Sequence, residues 1–409
     1  MDVLLEKSKL KNDEVIYISG SKSETNRLLL LQALYPELIL ENDSASDDSI
    51  VMKNCLKSSS CIKDVHHAGT AMRFLISYYS CMEGKEVILT GSERMKERPV
   101  HALVNALHDL GADITYLEKS GYPPVRIKGK KLEAHKVEIA ANVSSQYISS
   151  LMLIAPYLTK GLKIILIDTV TSRPYIQMTA QILNKLGAEI HFDDRVLNIS
   201  PLKRPLLNRF RIESDWSSAS YFYSLIALSP LETCLKLSWF HSDSLQGDAL
   251  LSELYKDFGV DTVFEKDSVV LRKAHFPHKN HFEYNLNNTP DIAQTIAVTC
   301  LGLGVTCRLT GLHTLKIKET DRLAAMRNEL EKFGAVVFID EDSLNIQNTV
   351  EELPHNKAVA TYNDHRMAMA FAPLSLKTKI LIEEAEVVTK SYPDFWNDLE
   401  KLGVKIKEC

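Results

Sequence analysis

The dominant pattern along this chain is a helical spacing of apolar positions that stops, again and again, at a glycine. Leu323, Met326, Leu330 and Phe333 fall at i, i+3, i+7 and i+10 and run out at Gly334, which is the stripe of an amphipathic helix. The same ending, an apolar residue, Gly and a short β-prone run, occurs at Leu110-Gly111-Ala112, Leu186-Gly187-Ala188, Phe258-Gly259-Val260, Phe333-Gly334-Ala335 and Leu402-Gly403-Val404. Gly just past a helix takes the left-handed conformation that ends it, so each site predicts a helix-to-strand junction. The five glycines lie 76, 72, 75 and 69 residues apart. That regularity predicts a repeated α/β unit, with a sixth, trimmed copy in the first ~100 residues around Val51–Lys57. Six units fit two halves of three.

Length agrees, since 409 residues at ~150 per domain give two or three domains. An apolar fraction of 45% and a charged fraction of 25% are globular values and exclude a disordered or fibrous chain. The formal charge of −5 supplies no global field for nucleic acid or an anionic membrane, so any anion site is local. Seven scattered cysteines without a C-x-x-C spacing argue against a disulfide framework or a zinc site. With no basic leader and no long apolar run, the expectation is a cytoplasmic protein.

The chemistry sits at predicted helix starts. Gly20-Ser21-Lys22-Ser23-Glu24-Thr25-Asn26-Arg27 precedes Leu28 to Leu31, and Ser21 with Glu24 has capping-box spacing, so Lys22 belongs to the first turn. Further starts are predicted at Ala68-Gly69-Thr70-Ala71-Met72-Arg73, at Ser144-Ser145-Gln146, at Ser172-Arg173-Pro174-Tyr175, at Ser217 to Ser220, at Thr289-Pro290-Asp291 and at Asn363-Asp364-His365-Arg366. Lys318-Glu319-Thr320-Asp321-Arg322 crowds two cations and two more carboxylates at one entrance, with Thr320 predicted as its N-cap. Lys and Arg oppose the helix dipole at this end by ~0.3–1 kcal/mol each, so their recurrence predicts bound anions. Arg94-Met95-Lys96-Glu97-Arg98-Pro99 packs three cations ahead of another helix without interleaved aromatics. A fork-like Arg on carboxylate or phosphate fits it better than nucleic acid.

These residues closely resemble the 5-enolpyruvylshikimate-3-phosphate synthases. The matching segments are GSKSETNR at 20–27, AGTAMR at 68–73, RMKERP at 94–99, SSQ at 144–146, SRPY at 172–175, ESDWSSAS at 213–220, QGD at 246–248, PD at 290–291, IKETDR at 317–322, YNDHRMA at 362–368 and TKSYPDF at 389–395. The resemblance implies the two-domain, inside-out α/β barrel fold of enolpyruvyl transferases, with six β-α-β-α-β-β units, three per domain and the first shortened. One lobe would hold residues 20–212 and the other 1–19 with 213–409, with crossovers near 20 and 213. It further implies a monomer without metal or organic cofactor. The implied reaction moves the enolpyruvyl group of phosphoenolpyruvate to the 5-hydroxyl of shikimate 3-phosphate and releases phosphate through a tetrahedral intermediate.

Carried over position by position, shikimate 3-phosphate would meet Lys22, Ser23, Arg27, Ser144, Ser145, Gln146, Ser172, Tyr175, Asp291 and Lys318. Phosphoenolpyruvate would meet Lys22, Gly69, Arg98, Gln146, Arg322, Arg366 and Lys390. Asp291 is implied as the base for the 5-hydroxyl, and Glu319 and Lys22 both stand as candidates for proton movement at C3. The chain departs from the family pattern at His67, usually Asn or Asp, at Thr314, often Asn, at Phe74, often Pro, and in a short stretch from Asp48 to Gly69. Gly69 is expected to leave room for glyphosate. The sister transferase acting on UDP-N-acetylglucosamine typically has a reactive loop Cys, and no Cys here lies in such a motif. A non-catalytic anion binder and an RNA 3′-phosphate cyclase are the other readings; the cyclase would call for a more basic surface.

Overall fold

In the computed structural model, which describes residues 1–142, 144–168, 170 and 172–409 and all their side chains but that of Ile317, the chain divides into two compact units. One holds Gly20–Ile212 and the other Met1–Ser19 with Glu213–Cys409. The helices of the first, the N-lobe, are α1 (Lys22–Leu34), α2 (Asp47–Lys57), α3 (Gly69–Ser80), α4 (Glu93–Lys96), α5 (His101–Asp109), α6 (Ser145–Ile154) and α7 (Arg173–Lys185). Those of the C-lobe are α8 (Trp216–Leu228), α9 (Leu251–Leu254), α10 (Ala293–Leu303), α11 (Arg322–Lys332), α12 (His365–Phe371) and α13 (Phe395–Lys401).

The repeat is visible in the sheets. Among the described residues, five four-stranded sheets share one pattern: two parallel strands, then two antiparallel steps. In the N-lobe this is Ile62–Asp64, Glu86–Thr90, Val125–Lys128 and Asp113–Tyr116, followed by Lys136–Ala140, Leu162–Ile167, Val196–Ile199 and Ile190–Asp193. The sixth unit keeps only its parallel pair, Ile39–Glu41 beside Arg209–Arg211. The expected trimming is thus the loss of a whole hairpin. In the C-lobe the strand Val3–Leu5 lies between Ile380–Ile382 and Ile406–Glu408, so the first residues complete the last unit. All five repeat glycines have φ between 80° and 97°, the left-handed turn expected of them; Gly111, Gly187, Gly334 and Gly403 directly end helices, and Gly259 closes the turns that follow α9.

Each lobe buries helices on every side. Apart from Ser217, all of α8 from Trp216 to Leu228 is buried, as is α10 from Ala293 to Leu301 and α6 from Ser145 to Ile154 except for half-exposed Gln146. Such helices are buried all round, polar residues included, so no apolar stripe marks one face. Packing of α1, α3, α6 and α7 on one another gathers their N-termini in the N-lobe. The N-termini of α8, α10 and α12 are brought together in the C-lobe in the same way.

Candidate active site

In the N-lobe, Lys22 is the first residue of α1, and Ser21 is its N-cap without a side-chain capping bond. The capping-box spacing therefore marked the right place but not the hydrogen bond. Helix α3 likewise starts at Gly69 behind Ala68, and α7 starts behind Ser172, held at φ 52°, with no side-chain cap on either. Uncapped N–H groups are the donors that anions use. Ser144 does cap α6, its Oγ accepting from the Gln146 N–H at 3.3 Å, while Gln146 Nε2 donates to Thr70 Oγ1 at 3.1 Å.

Arg98 reaches back over the start of α3. A Cβ built on Gly69 would stand 2.5 Å from its Nη1, so only glycine admits the guanidinium there. The loop is held from beneath by Arg73, 4% exposed, whose Nη1 donates to Gly69 O and whose Nη2 donates to Pro99 O. Arg27 is held in place by the lobe itself. It is 2% exposed and donates from Nε to Thr179 Oγ1, from Nη1 to Ser23 O and from Nη2 to Ser149 Oγ, tying α1 to α6 and α7. Burial lowers its pKa to about 10, so it stays charged.

The C-lobe holds a knot of charge around Arg322. Its side chain is 2% exposed and meets three carboxylates: Nε donates to Asp364 Oδ2 at 2.6 Å, Nη1 to Asp291 Oδ1 at 3.0 Å and Nη2 to Glu319 Oε2 at 2.7 Å. Burial alone would depress this guanidinium's pKa. The attraction of Asp364, Glu319 and Asp291 reverses that and raises it. Arg366 Nη2 lies 3.1 Å from Asp291 Oδ2, and Lys318 Nζ is 3.7 Å from Asp291 Oδ1. Asp291 is thus bracketed by three cations. The carboxylates also offset the dipole penalty that made cations at these helix starts anomalous.

Local structure explains the placement. The N-cap of α11 is Asp321, whose side chain accepts from Ala324 N–H, and not Thr320 as the sequence suggested. Starting the helix at Arg322 aims its side chain back across the entrance. Asp364 caps α12 through Oδ1 and holds Arg322 through Oδ2. The two residues before it, Tyr362 and Asn363, both have left-handed φ of 54° and 55°, and Lys390 Nζ donates to Asn363 O at 2.6 Å. Non-glycine residues in this conformation store of order 1–3 kcal/mol each and cluster at working sites. Thr314 Oγ1 is buried with no hydrogen-bond partner among the described residues.

Asp248 and Asp48 had no assigned role in the sequence. Asp248, in the QGD segment, accepts from Ser217 Oγ, and Ser217 Oγ in turn receives Arg366 Nη2 at 3.4 Å. Burial first, and Asp291 next, push the Asp248 carboxyl up to about 7. The folded protein therefore keeps a proton there that the unfolded chain releases at about pH 4. Stability from this group is present below that value and declines as pH rises towards 7. Asp248→Asn should remove the decline. Between pH 5 and 7.5 the calorimetric Tm of the parent should fall by about 5 °C more than that of the variant; parallel curves would contradict the assignment.

The chain as a whole is similar to known proteins. Residues 37–399 match the family model described as EPSP synthase (3-phosphoshikimate 1-carboxyvinyltransferase). A 3-phosphoshikimate 1-carboxyvinyltransferase of Bacteroides fragilis strain YCH46 is 42% identical over 396 residues, 96% of each chain. The one of Haemophilus influenzae strain Rd is 35% identical over 429 aligned positions, covering 95% of this chain and 96% of that one. In fold, the chain is similar to a solved EPSP synthase from Acinetobacter baumannii, with a TM-score of 0.80 over 99% of both chains at 18% identity.

Proposed function

Because this chain belongs to the EPSP synthase family, we infer that it is a transferase of the shikimate pathway, which leads to chorismate and the aromatic amino acids. It moves the enolpyruvyl group of phosphoenolpyruvate to the 5-hydroxyl of shikimate 3-phosphate, giving 5-enolpyruvylshikimate 3-phosphate and phosphate. The observation that carries the residue-level reading is the bracketing of Asp291 by Arg322, Arg366 and Lys318. A base held among cations suits a reaction in which a hydroxyl is deprotonated beside a dianion.

In this reading the phosphate of shikimate 3-phosphate takes the hydroxyls of Ser144, Ser145 and Ser172. Ser23, Arg27, Gln146, Tyr175, Lys318 and Lys22 complete its surroundings. Phosphoenolpyruvate is held by Lys22, Arg98, Gln146, Arg322, Arg366 and Lys390, with the backbone at Gly69. As Arg322 and Arg366 turn part of their charge to the incoming anion, Asp291 is less neutralised and becomes a stronger base. Its carboxylate takes the 5-hydroxyl proton while the oxygen bonds to C2, and C3 gains a proton to become a methyl. Glu319 or Lys22 delivers that proton. The C2–O bond to phosphate then breaks, C3 loses a proton, and the cations stabilise the charge on the departing phosphate. The protein works as a cytoplasmic monomer, without metal or organic cofactor, and is a glyphosate target.

The addition–elimination course has its own test. In deuterium oxide, the transient methyl group should leave deuterium on the vinyl carbon of the product, seen as loss of the vinyl proton resonances; a fully protonated vinyl group would refute it. Gly69→Ala tests the Arg98 assignment. The new methyl displaces the guanidinium by about 1 Å to reach ordinary contact, so KM for phosphoenolpyruvate should rise about tenfold or more. KM for shikimate 3-phosphate should hold steady; equal rises in both would count against Arg98 as a phosphoenolpyruvate ligand.

A further inference from the structure

The N-lobe places a second carboxylate and a histidine behind Lys22. Asp48 Oδ2 lies 3.6 Å from Lys22 Nζ, and Asp48 Oδ1 lies 3.6 Å from His67 Nε2. The side chains of Lys22 and Asp48 are 17% and 11% exposed and that of His67 is 37% exposed. Asp48 has little freedom to leave this position. It is the second residue of α2, whose N-cap Ser46 accepts from Ser49 N–H. Ser46 Oγ is bonded in turn to Ser44 Oγ, and Thr25 Oγ1 of α1 accepts from Ser44 N–H at 3.0 Å. His67 is fixed from the other side, since His66 before it has a left-handed φ of 47° and Gly69 after it opens α3.

We propose that Asp48 and His67 are positioning residues for Lys22, and that His67 makes the affinity for phosphoenolpyruvate rise as pH falls. The inference rests on the reading of Lys22 as a phosphoenolpyruvate ligand. With His67 neutral, Asp48 and Lys22 cancel, and the group presents no net charge. With His67 protonated, one carboxylate is shared by two cations. Asp48 then holds Lys22 less tightly, and the group carries one net positive charge toward a substrate anion. The gain is present below the pKa of His67 and is lost as pH rises through it.

The turn that carries His67 joins the strand Ile62–Asp64 to α3, and α1 and α2 pack on α3; Arg98 lies over Gly69, and the N–H of Ser92, before α4, donates to His66 O at 2.9 Å. Their charged groups are Lys22, Glu24 and Arg27 on α1, Asp47, Asp48, Lys53 and Lys57 on α2, Arg73 on α3, Glu93, Arg94 and Lys96 on α4, and Arg98, with Asp64 beside His66 on the strand before the turn. Asp48, 3.6 Å from His67 Nε2, favours the charged imidazole, and Lys22 on the same carboxylate opposes it.

The test is steady-state kinetics of the parent and the His67→Asn variant from pH 6 to 8, read as the ratio of their KM values for phosphoenolpyruvate. The ratio cancels the substrate's own titration. Variant over parent, it should be about fivefold at pH 6 and approach unity at pH 8, with Tm unchanged. In Asp48→Asn the acid enhancement of affinity should move to lower pH, because the carboxylate that favours charged His67 is gone. A merely structural role for either residue would shift neither profile. Lys22→Met separates the two layers. If it raises KM for phosphoenolpyruvate while the His67→Asn ratio stays flat with pH, the positioning pair is overturned and the ligand role of Lys22 stands. If Lys22→Met leaves that KM unchanged, both fall.

Discussion

Replacing Asp291 by Asn is expected to lower kcat by about a thousandfold and leave shikimate 3-phosphate binding within about threefold in calorimetry. The amide keeps the size and one acceptor of the carboxylate, so the hydrogen bond from Arg322 Nη1, 3.0 Å in the parent, has a partner still. What it loses is the ability to take the 5-hydroxyl proton. Arg322 also remains bound to Asp364 and Glu319, so the knot of charge should survive. A kcat within tenfold of the parent would assign the base to another group. A non-catalytic anion binder built on this fold would show no such split between binding and turnover.

Arg322→Lys should be nearly as damaging, by a different route. One guanidinium contacts three carboxylates through three nitrogens, and a single ammonium cannot reproduce that fan. Asp364, which is fully buried, would lose the Nε–H donor at 2.6 Å. Leaving a buried charge poorly paired costs about 3–5 kcal/mol. Denaturant unfolding should therefore show a loss of about that size, and kcat/KM for phosphoenolpyruvate should drop by about a thousandfold. A variant within 1 kcal/mol of the parent, at about the scale of a surface ion pair, would mean that the knot does not bear on folding.

Much of the fold was legible because helix ends are local. Gly111, Gly187, Gly259, Gly334 and Gly403 announce their left-handed turns by residue type alone, and their spacing carries the repeat. The missing hairpin of the first unit was legible only as a short stretch, since a period says where a copy falls and not which strands it keeps. The N-cap of α11 was missed by one residue because Thr320 and Asp321 both cap well, and only geometry shows Asp321 accepting from Ala324. Amphipathic spacing was of little use for α8 and α10, which are buried all round.

For the site, cations at helix starts were readable from their conflict with the dipole. Their compensation was not, because Asp291 and Arg322 stand at two different helix starts of one unit and Asp364 at a helix start of the next, and they meet only in the folded lobe. The same holds for Lys22, Asp48 and His67, contributed by α1, α2 and the turn before α3. His67 stood out in sequence as a departure from the family pattern, but its partner Asp48 looked like any acidic residue in the first turn of a helix. Asp248 was marked by its motif and not by its chemistry, which depends on burial that no local pattern reveals.

The central claim, that this protein joins phosphoenolpyruvate to shikimate 3-phosphate, is tested most directly by phosphate release from the purified protein with each substrate omitted in turn. Release that requires both substrates is the result predicted here. Release from phosphoenolpyruvate alone, or none with both present, would contradict it.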